Sequence, residues 1–192
     1  MPTPMPARDM PTEPHALENL IAKDEIRDLV QQYCRAVDRG DLALAAALYT
    51  DDALDEHGFN TSNTVREFLD SLEAMFSGLA ATQHNITNHL IRLTGPDTAE
   101  GEAYLVAYHR AERKGVAHVL VTGGRYLDRY ARRDGQWRIA HRKCVADWSH
   151  EFKAPLRAHG DDPVLGNLAE GRMDGQDPSY AFLSALPRGR RV

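Results

Sequence analysis

The chain has 192 residues, of which 42% are apolar, and carries a net charge of −5 at neutral pH. This length suits one domain with an extension, and the apolar share is enough to build a hydrophobic core. The acidic balance argues against nucleic acid, which binds basic faces, and no apolar run reaches the roughly 18 residues of a membrane span.

The two ends of the chain and its cysteines set further bounds. Residues 1–14 are rich in proline and lack the apolar segment of a secretory signal peptide, so we predict a flexible N-terminal arm. Cys34 and Cys144 lie far apart and are expected to be reduced thiols rather than a disulfide. These features predict a cytoplasmic protein.

Helices dominate the first part of the chain. Apolar residues at helical spacing predict a long amphipathic helix over 15–39. Asp41 is the predicted N-cap of a short second helix over 42–48. A short strand over 53–57 precedes a third helix over 65–76, whose apolar residues also share one side.

Strands dominate the second part. Four are predicted, separated by turns that contain glycine, and they cover 81–93, 100–111, 116–132 and 136–148. The pair Gly123-Gly124 lies inside the third strand and predicts a bulge or a sharp bend in a curved sheet. Residues 151–192, rich in proline, glycine and aspartate, are predicted to be a C-terminal extension. Helices followed by an antiparallel meander form an α+β pattern.

The strand over 81–93 mixes polar and apolar residues. Because side chains alternate between the faces of a strand, His84, Ile86, Asn88 and Leu90 are predicted to share one face. A plain half-buried strand would separate polar from apolar side chains, whereas the wall of a semi-polar pocket would mix them. The alternative is a partly exposed strand whose histidines have hydrogen-bond partners.

Several short segments carry a family resemblance. They are the helix end Tyr33…AVDRGD, the following LYTDDA, HNITN from His84, GGRY from Gly123, and RRDGQWRI leading to Asp147-Trp148. In this order they resemble the SnoaL-like branch of the NTF2-like superfamily, with scytalone dehydratase, hexachlorocyclohexane dehydrochlorinase and bile-acid 7α-dehydratase. The resemblance implies an NTF2-like (cystatin-like) α+β cone over 15–150. In that cone, a long N-terminal helix and two shorter helices pack on a strongly curved antiparallel sheet.

The resemblance also implies a catalytic site. Enzymes of this branch use a histidine–aspartate pair inside the cone as a base, and the matching positions here are His84 and Asp38. By position, His109 corresponds to a second pocket histidine and Tyr33 to a pocket tyrosine. The bile-acid enzyme has an aspartate on the strand after the histidine that is not matched here, which argues against steroid dehydration.

The chemistry of such a pair is simple. An imidazole with an unperturbed pKa of about 6.5 can accept a proton at neutral pH, and a carboxylate on its far nitrogen fixes the tautomer. It requires no metal or cofactor, and none is predicted, because the histidines show no HxxxH, HExxH or cysteine–histidine ligand spacing. Spacing alone favours Asp38 as a cap of the helix end or turn, and leaves His109 as a solvent-facing strand end.

Further residues are predicted to bind a substrate: Asn88, Tyr49, Tyr126 and Trp148. Asn88 would bind a carbonyl or hydroxyl group, and the tyrosines would orient a substrate phenol. Alternatively, the tyrosines are core aromatics with satisfied hydroxyl groups. Arg125, Arg129 and Arg142 are interpreted as surface or interface charges.

The predicted function is a cofactor-independent lyase acting on a small, largely apolar or aromatic ring compound. A base removes a proton, and water, halide or an aldehyde departs; loss of formaldehyde from a lignin-type aromatic alcohol is one version. A ketosteroid-isomerase-type isomerase with an aspartate base is a related alternative. A non-catalytic module, such as the β subunit of an aromatic-ring dioxygenase, is the alternative from another class. A closed apolar pocket that holds both Asp38 and His84 would favour the enzyme.

The protein is predicted to be a homo-oligomer, either a trimer or a dimer. A curved sheet has a concave face for the pocket and a convex face that would otherwise expose apolar side chains, and such patches usually mark interfaces. The extension over 151–192 is long enough to wrap a neighbouring subunit or to cap the pocket.

Overall fold

A computed structural model describes residues 15–58, 64–154 and 159–189. The predicted arm over 1–14 lies outside the described residues. The elements are α1 (Ala16–Asp38), α2 (Leu42–Ala47), β1 (Tyr49–Glu56), α3 (Val65–Phe76), β2 (Leu79–Gly95), β3 (Thr98–Arg113), β4 (Val116–Arg133), β5 (Gln136–Ala154) and α4 (Pro178–Phe182). Single 3-10 turns cover His159–Asp161 and Leu165–Asn167.

The helices begin where their caps place them. Asp41 accepts a hydrogen bond of 3.1 Å from the backbone amide of Leu44, so the predicted N-cap of α2 is confirmed. Thr64 caps α3 in the same way. The apolar stripe of α1 is buried from Ala22 onward, but its first turns are not, since Leu17 is 69% exposed. Only the later part of α1 therefore packs into the core.

The strands form one curved, unclosed sheet in the order β1-β5-β4-β3-β2. Strands β2 to β5 are an antiparallel meander, whereas β1 pairs with β5 in parallel. The α+β cone expected from the sequence is confirmed. On β3 the side chains alternate between faces, with Ala103 and Ala107 buried and Tyr104 exposed on the opposite face.

A bulge in β2 changes which side chains face the core. The register with β3 shifts between Ile86 and His89, so the pattern of alternation inverts there. After the shift Ile91 is 3% exposed and Leu90 is 59% exposed. The prediction that Asn88 and Leu90 share a face with His84 is therefore wrong, and Asn88 is exposed.

The predicted bulge at Gly123 and Gly124 is confirmed, because the β4–β5 register shifts between them. The extra residue lies on β5, so the alternation of β5 inverts there. Trp148 lies directly opposite Gly123, and a Cβ atom built on Gly123 would approach the indole to between 2.1 and 2.3 Å. Glycine is required at this position because the indole lies against the backbone.

Arg142 is completely buried, so its interpretation as a surface charge is wrong. Its guanidinium donates two hydrogen bonds, of 2.8 and 2.7 Å, to the carboxylate of Asp128, which is also buried. The guanidinium carbon lies 4.2 Å from the ring centre of Tyr33 and 4.0 Å from that of Tyr126. An ion pair between two aromatic rings thus links α1 to the centre of the sheet.

The C-terminal extension contacts the turn between α1 and α2. Strand β5 continues to Ala154, beyond the predicted boundary at 150, and the later residues then return to this turn. The buried Asp177 lies 3.1 Å from Nε of Arg39, and the amide of Gly189 donates to Asp41 at 2.8 Å. The described part of the extension therefore packs against its own chain.

Two further findings concern the whole described chain. Within residues 15–58, 64–154 and 159–189, no helix has the length and apolar character needed to cross a membrane. Cys34 and Cys144 are both free thiols, as expected. Burial raises the pKa of Cys34 to about 12, so this thiol is unreactive at neutral pH.

Replacing Arg142 by methionine is expected to lower the free energy of unfolding by about 3–5 kcal/mol, because it leaves the buried carboxylate of Asp128 unpaired. Urea denaturation followed by tryptophan fluorescence measures the change. The control is Arg129→Met, at a side chain that is 70% exposed, and it should stay within about 0.5 kcal/mol of the wild type. Equal effects of the two replacements would contradict the role assigned to the ion pair.

Candidate functional site

A cavity of about 520 Å³ opens between the helices and the concave face of the sheet. Most of its lining is apolar and includes Val37, Leu72, Phe76, Leu105, Ala107 and Cys144. Tyr33, His57, His84 and His109 supply polar groups to the same lining. A concave apolar space with few polar groups is the usual form of a small-molecule site.

His84 lines this cavity and is in direct contact with Asp38, which is not itself part of the lining. Asp38 is the last residue of α1, and its Oδ1 lies 2.7 Å from Nδ1 of His84. Its Oδ2 accepts a second hydrogen bond, of 3.0 Å, from the backbone amide of His84. The contact between these two residues that the resemblance implies is confirmed. Because the carboxylate accepts, Nδ1 carries the proton and Nε2 keeps a lone pair that can accept one.

His109 lines the cavity beside His84, so it is not a solvent-facing strand end. The two ring centres are 5.4 Å apart, and Nδ1 of His109 lies 2.9 Å from Oγ1 of Thr82. Burial, and after it the neighbouring His84 imidazole, lower the pKa of His109 to about 4. His109 is therefore neutral at physiological pH.

The tyrosines divide into two groups. Tyr33 and Tyr126 line the cavity with their rings edge to face, 5.8 Å apart. Burial raises the pKa of both phenols well above its usual value, so their hydroxyl groups remain protonated. Tyr49 lies behind the wall, where its hydroxyl donates to Asp55 at 2.7 Å, and it is not part of the lining.

Besides Tyr49, two more of the predicted substrate-binding residues lie away from the cavity. Asn88 is exposed on the outer face of β2 because of the bulge before His89. Trp148 is 45% exposed and lies on the convex face, over Gly123, because β5 has changed its alternation there. The predictions that these two side chains bind a substrate in the cavity are therefore wrong.

Sequence reasoning missed His57 as a cavity residue. It pairs with Asp55, which is two positions earlier at the end of β1. Residues two apart on a strand share a face, so the spacing of this aspartate and histidine is a signal that could have found the pair. The described residues contain no group of three or more side chains placed to hold a metal ion.

Comparison with known proteins agrees with this architecture. Residues 18–143 match the model of the SnoaL-like domain. The search of proteins with curated functions returned no match.

Solved structures with the same fold include a scytalone dehydratase-like protein of Novosphingobium aromaticivorans, which is 22% identical with a TM-score of 0.62. The match covers 73% of this chain and 92% of that one. A hexachlorocyclohexane dehydrochlorinase of LinA type 2 is 20% identical with a TM-score of 0.66, over 75% of this chain and 98% of its own. The LinA type 3 enzyme of Novosphingobium barchaimii is 20% identical with a TM-score of 0.63, over 71% and 93%. At these identities the likeness shows a shared fold.

The lowered pKa of His109 predicts a measurable titration. In an unfolded chain a histidine titrates near 6.5, so the unfolded state binds more protons than the folded state between pH 6.5 and about 4. The contribution of His109 to stability is therefore complete above pH 6.5 and is lost as the pH falls toward 4. Imidazole NMR signals, assigned with His109→Asn, should show this residue neutral at pH 5.5. A midpoint near 6.5 would contradict the burial of its ring.

Proposed function

Because the chain belongs to the SnoaL-like domain family, we propose that it is a cofactor-independent lyase that acts on a small apolar ring compound. The observation that supports this most is the contact of 2.7 Å between Asp38 and His84 at the wall of an apolar cavity. A carboxylate-oriented imidazole is a general base, and an apolar space excludes the water that would compete with a substrate.

In the proposed reaction, Nε2 of His84 removes a proton from the substrate. The electron pair left behind forms a new double bond, and the leaving group departs with its own bonding pair. Asp38 holds the proton on Nδ1, so that Nε2 is the accepting atom, and it stabilises the imidazolium that forms. His84 then releases its proton to solvent, which restores the base.

The cavity limits the substrate by size and polarity. About 520 Å³ suits a compound of one or two rings, and the apolar lining favours aromatic or alicyclic carbon over charged groups. Dehydration, loss of halide, and loss of formaldehyde from a lignin-type aromatic alcohol can all start from the same base. These reactions form one class because each begins with a proton transfer to a positioned base.

The contacts of Asp38 favour this proposal over the alternatives. An aspartate base of the ketosteroid-isomerase type needs a carboxylate oxygen directed at the substrate, but both oxygens of Asp38 accept hydrogen bonds from His84. A non-catalytic subunit has no need of a buried acid–base pair beside an apolar cavity. The arrangement therefore supports histidine as the base and catalysis as the function.

His84→Ala is expected to lower the rate of a base-catalysed elimination by about 10²–10⁴-fold, because general-base assistance of that size is lost. Asp38→Asn should lose a large part of the same rate factor, because the amide no longer holds the imidazole in the tautomer whose Nε2 accepts a proton. The probe is 5-nitrobenzisoxazole, whose deprotonation at carbon releases a coloured phenolate and needs only a base in an apolar space. Turnover should be unchanged by EDTA.

Two results would overturn the proposed mechanism. One is wild-type turnover by the His84→Ala variant, with its urea unfolding midpoint preserved. The other is a wild-type rate no greater than that of imidazole in buffer at the same concentration.

We also propose that the protein self-associates through the convex face of its sheet. Trp148 and Phe152 are 45% and 50% exposed, and they share this face with His150 because residues two apart on a strand lie on one side. Their row continues to Tyr104, which is 42% exposed. A second copy of the chain would bury this aromatic surface, as apolar patches in oligomers are buried.

Light scattering at micromolar concentration is expected to give the mass of a dimer or trimer. Phe152→Glu should lower that mass to one subunit, because it places a charge in the apolar contact. The control is Leu165→Glu, at a residue of similar exposure, 55%, in the C-terminal extension. A monomeric wild type, or equal effects of the two variants, would contradict self-association through this face.

A further inference from the structure

A second histidine–carboxylate pair lines the same cavity. Nδ1 of His57 donates to Oδ1 of Asp55, and the other oxygen of Asp55 accepts a hydrogen bond of 2.7 Å from the hydroxyl of Tyr49. The side chain of Asp55 is fully buried, and that of His57 is 16% exposed. The carboxylate thus fixes the Nδ1 edge of the imidazole and leaves Nε2 on the side of the cavity.

The imidazole of His57 is held on both its face and its edge. It stacks on Phe68, with ring centres 4.3 Å apart and planes inclined by only 17°. Its Nε2 lies 3.4 Å from the hydroxyl of Tyr33, and both side chains line the cavity. A ring fixed by stacking and by a buried carboxylate presents its Nε2 in one direction, which is what positioned proton transfer requires.

The other cavity histidines are less suited to donating a proton. His84 is the base in the proposed reaction, and its ring Nδ1 and backbone amide both donate hydrogen bonds to Asp38. His109 is partnered by the hydroxyl of Thr82 rather than by a carboxylate, and its lowered pKa keeps it neutral. A carboxylate partner stabilises an imidazolium, which is the form that can donate. His118 lines the cavity too, but its carboxylate partner, Glu151, lies 3.5 Å away and is 65% exposed. Of the four cavity histidines, His57 is the one that has a fully buried carboxylate partner and is not the proposed base.

We propose that His57 is a second catalytic residue of this site, a general acid that protonates a leaving oxygen, and that Asp55 is its positioning residue. This inference rests on the proposed function, in which His84 is the base. It extends that function by naming the leaving group, which is an oxygen such as a hydroxyl. A halide is a weak base and departs without a proton, so a lyase for halides has no use for the second pair.

In an alcohol substrate, Nε2 of His84 takes the proton from carbon, and the C–H electron pair becomes the second bond of the new double bond. The carbon–oxygen bond breaks with its pair moving to oxygen, which takes the Nε2 proton of the His57 imidazolium and leaves as water. The enzyme ends with one proton more on His84 and one fewer on His57, and exchange with solvent restores both.

Two benzisoxazoles separate the acid from the base. In both, a base removes the same kind of carbon-bound proton and the N–O bond breaks to release a phenolate. The phenolate of 5-nitrobenzisoxazole is a weak base that leaves without help, whereas that of unsubstituted benzisoxazole is more basic and benefits from a proton. His57→Asn removes Nε2 but keeps an amide that can donate to Asp55.

We expect His57→Asn to lower the ratio of kcat on unsubstituted benzisoxazole to kcat on the nitro compound by about 10²-fold or more, the size of general-acid assistance. The control is His141→Asn, which breaks another histidine–carboxylate pair, 2.7 Å from Glu56, away from the cavity. It should leave both rates unchanged. Equal losses on both probes, or no loss on either, would overturn the assignment of His57.

The two proposals fail in different ways. If the His84→Ala variant still turns over both probes, then His84 is not the base and the proposed function is wrong, whatever the result for His57. If the His57→Asn variant does not fold, the acid role of His57 is tested with the wild-type protein. Across a series of substituted benzisoxazoles, its rate should depend less on the basicity of the leaving phenolate than the imidazole-catalysed rate in buffer does. Equal dependence would overturn the acid role of His57.

Discussion

The ion pair between Arg142 and Asp128 is the interaction on which the arrangement of this protein depends. A buried charge is tolerated only when a partner and further contacts compensate for lost hydration, and here two hydrogen bonds and two aromatic faces do so. One of those faces belongs to Tyr33, which also lines the cavity and approaches His57. The pair therefore fixes the distance between α1 and the sheet, and with it the position of one cavity wall.

Two bulges give the sheet the shape that a cavity needs. Each adds a residue to one strand of an antiparallel pair, which bends the strand and increases its twist. The bulge in β2 lies after His84 and Ile86. The second bulge lies on β5, opposite Gly123 on β4. On β2, His84 lines the cavity before the bulge, and Ile91 is buried in the core after it. On β5, Trp148 follows the bulge and faces away from the cavity. The inserted residues thus change which side chains of β2 and β5 reach the cavity.

The sequence predicted the features of the fold that depend on residues close together in the chain. Helical periodicity, the cap at Asp41 and the glycine pair all follow from neighbouring residues, and the structure agrees with each. The contact between Asp38 and His84 joins residues 46 apart in the chain, and it was accessible only through the family resemblance. The faces of Asn88 and Trp148 were not predictable, because one inserted residue reverses every later side chain. The burial of Arg142 depends on partners from two other elements, α1 and β4, which no local pattern records.

The contact between the C-terminal extension and the α1–α2 turn has a consequence for how the chain is made. Asp41 and Gly189 are 148 residues apart, so the hydrogen bond between them can form only after residue 189 has been synthesised. The helix end that carries Asp38 lies immediately before this turn. During translation from the N-terminus the strands can pair first, whereas the contacts of this turn with Asp177 and Gly189 form only when that later segment has left the ribosome. A chain cut before Asp177 would thus keep the residues of its sheet and lose these contacts next to the helix end.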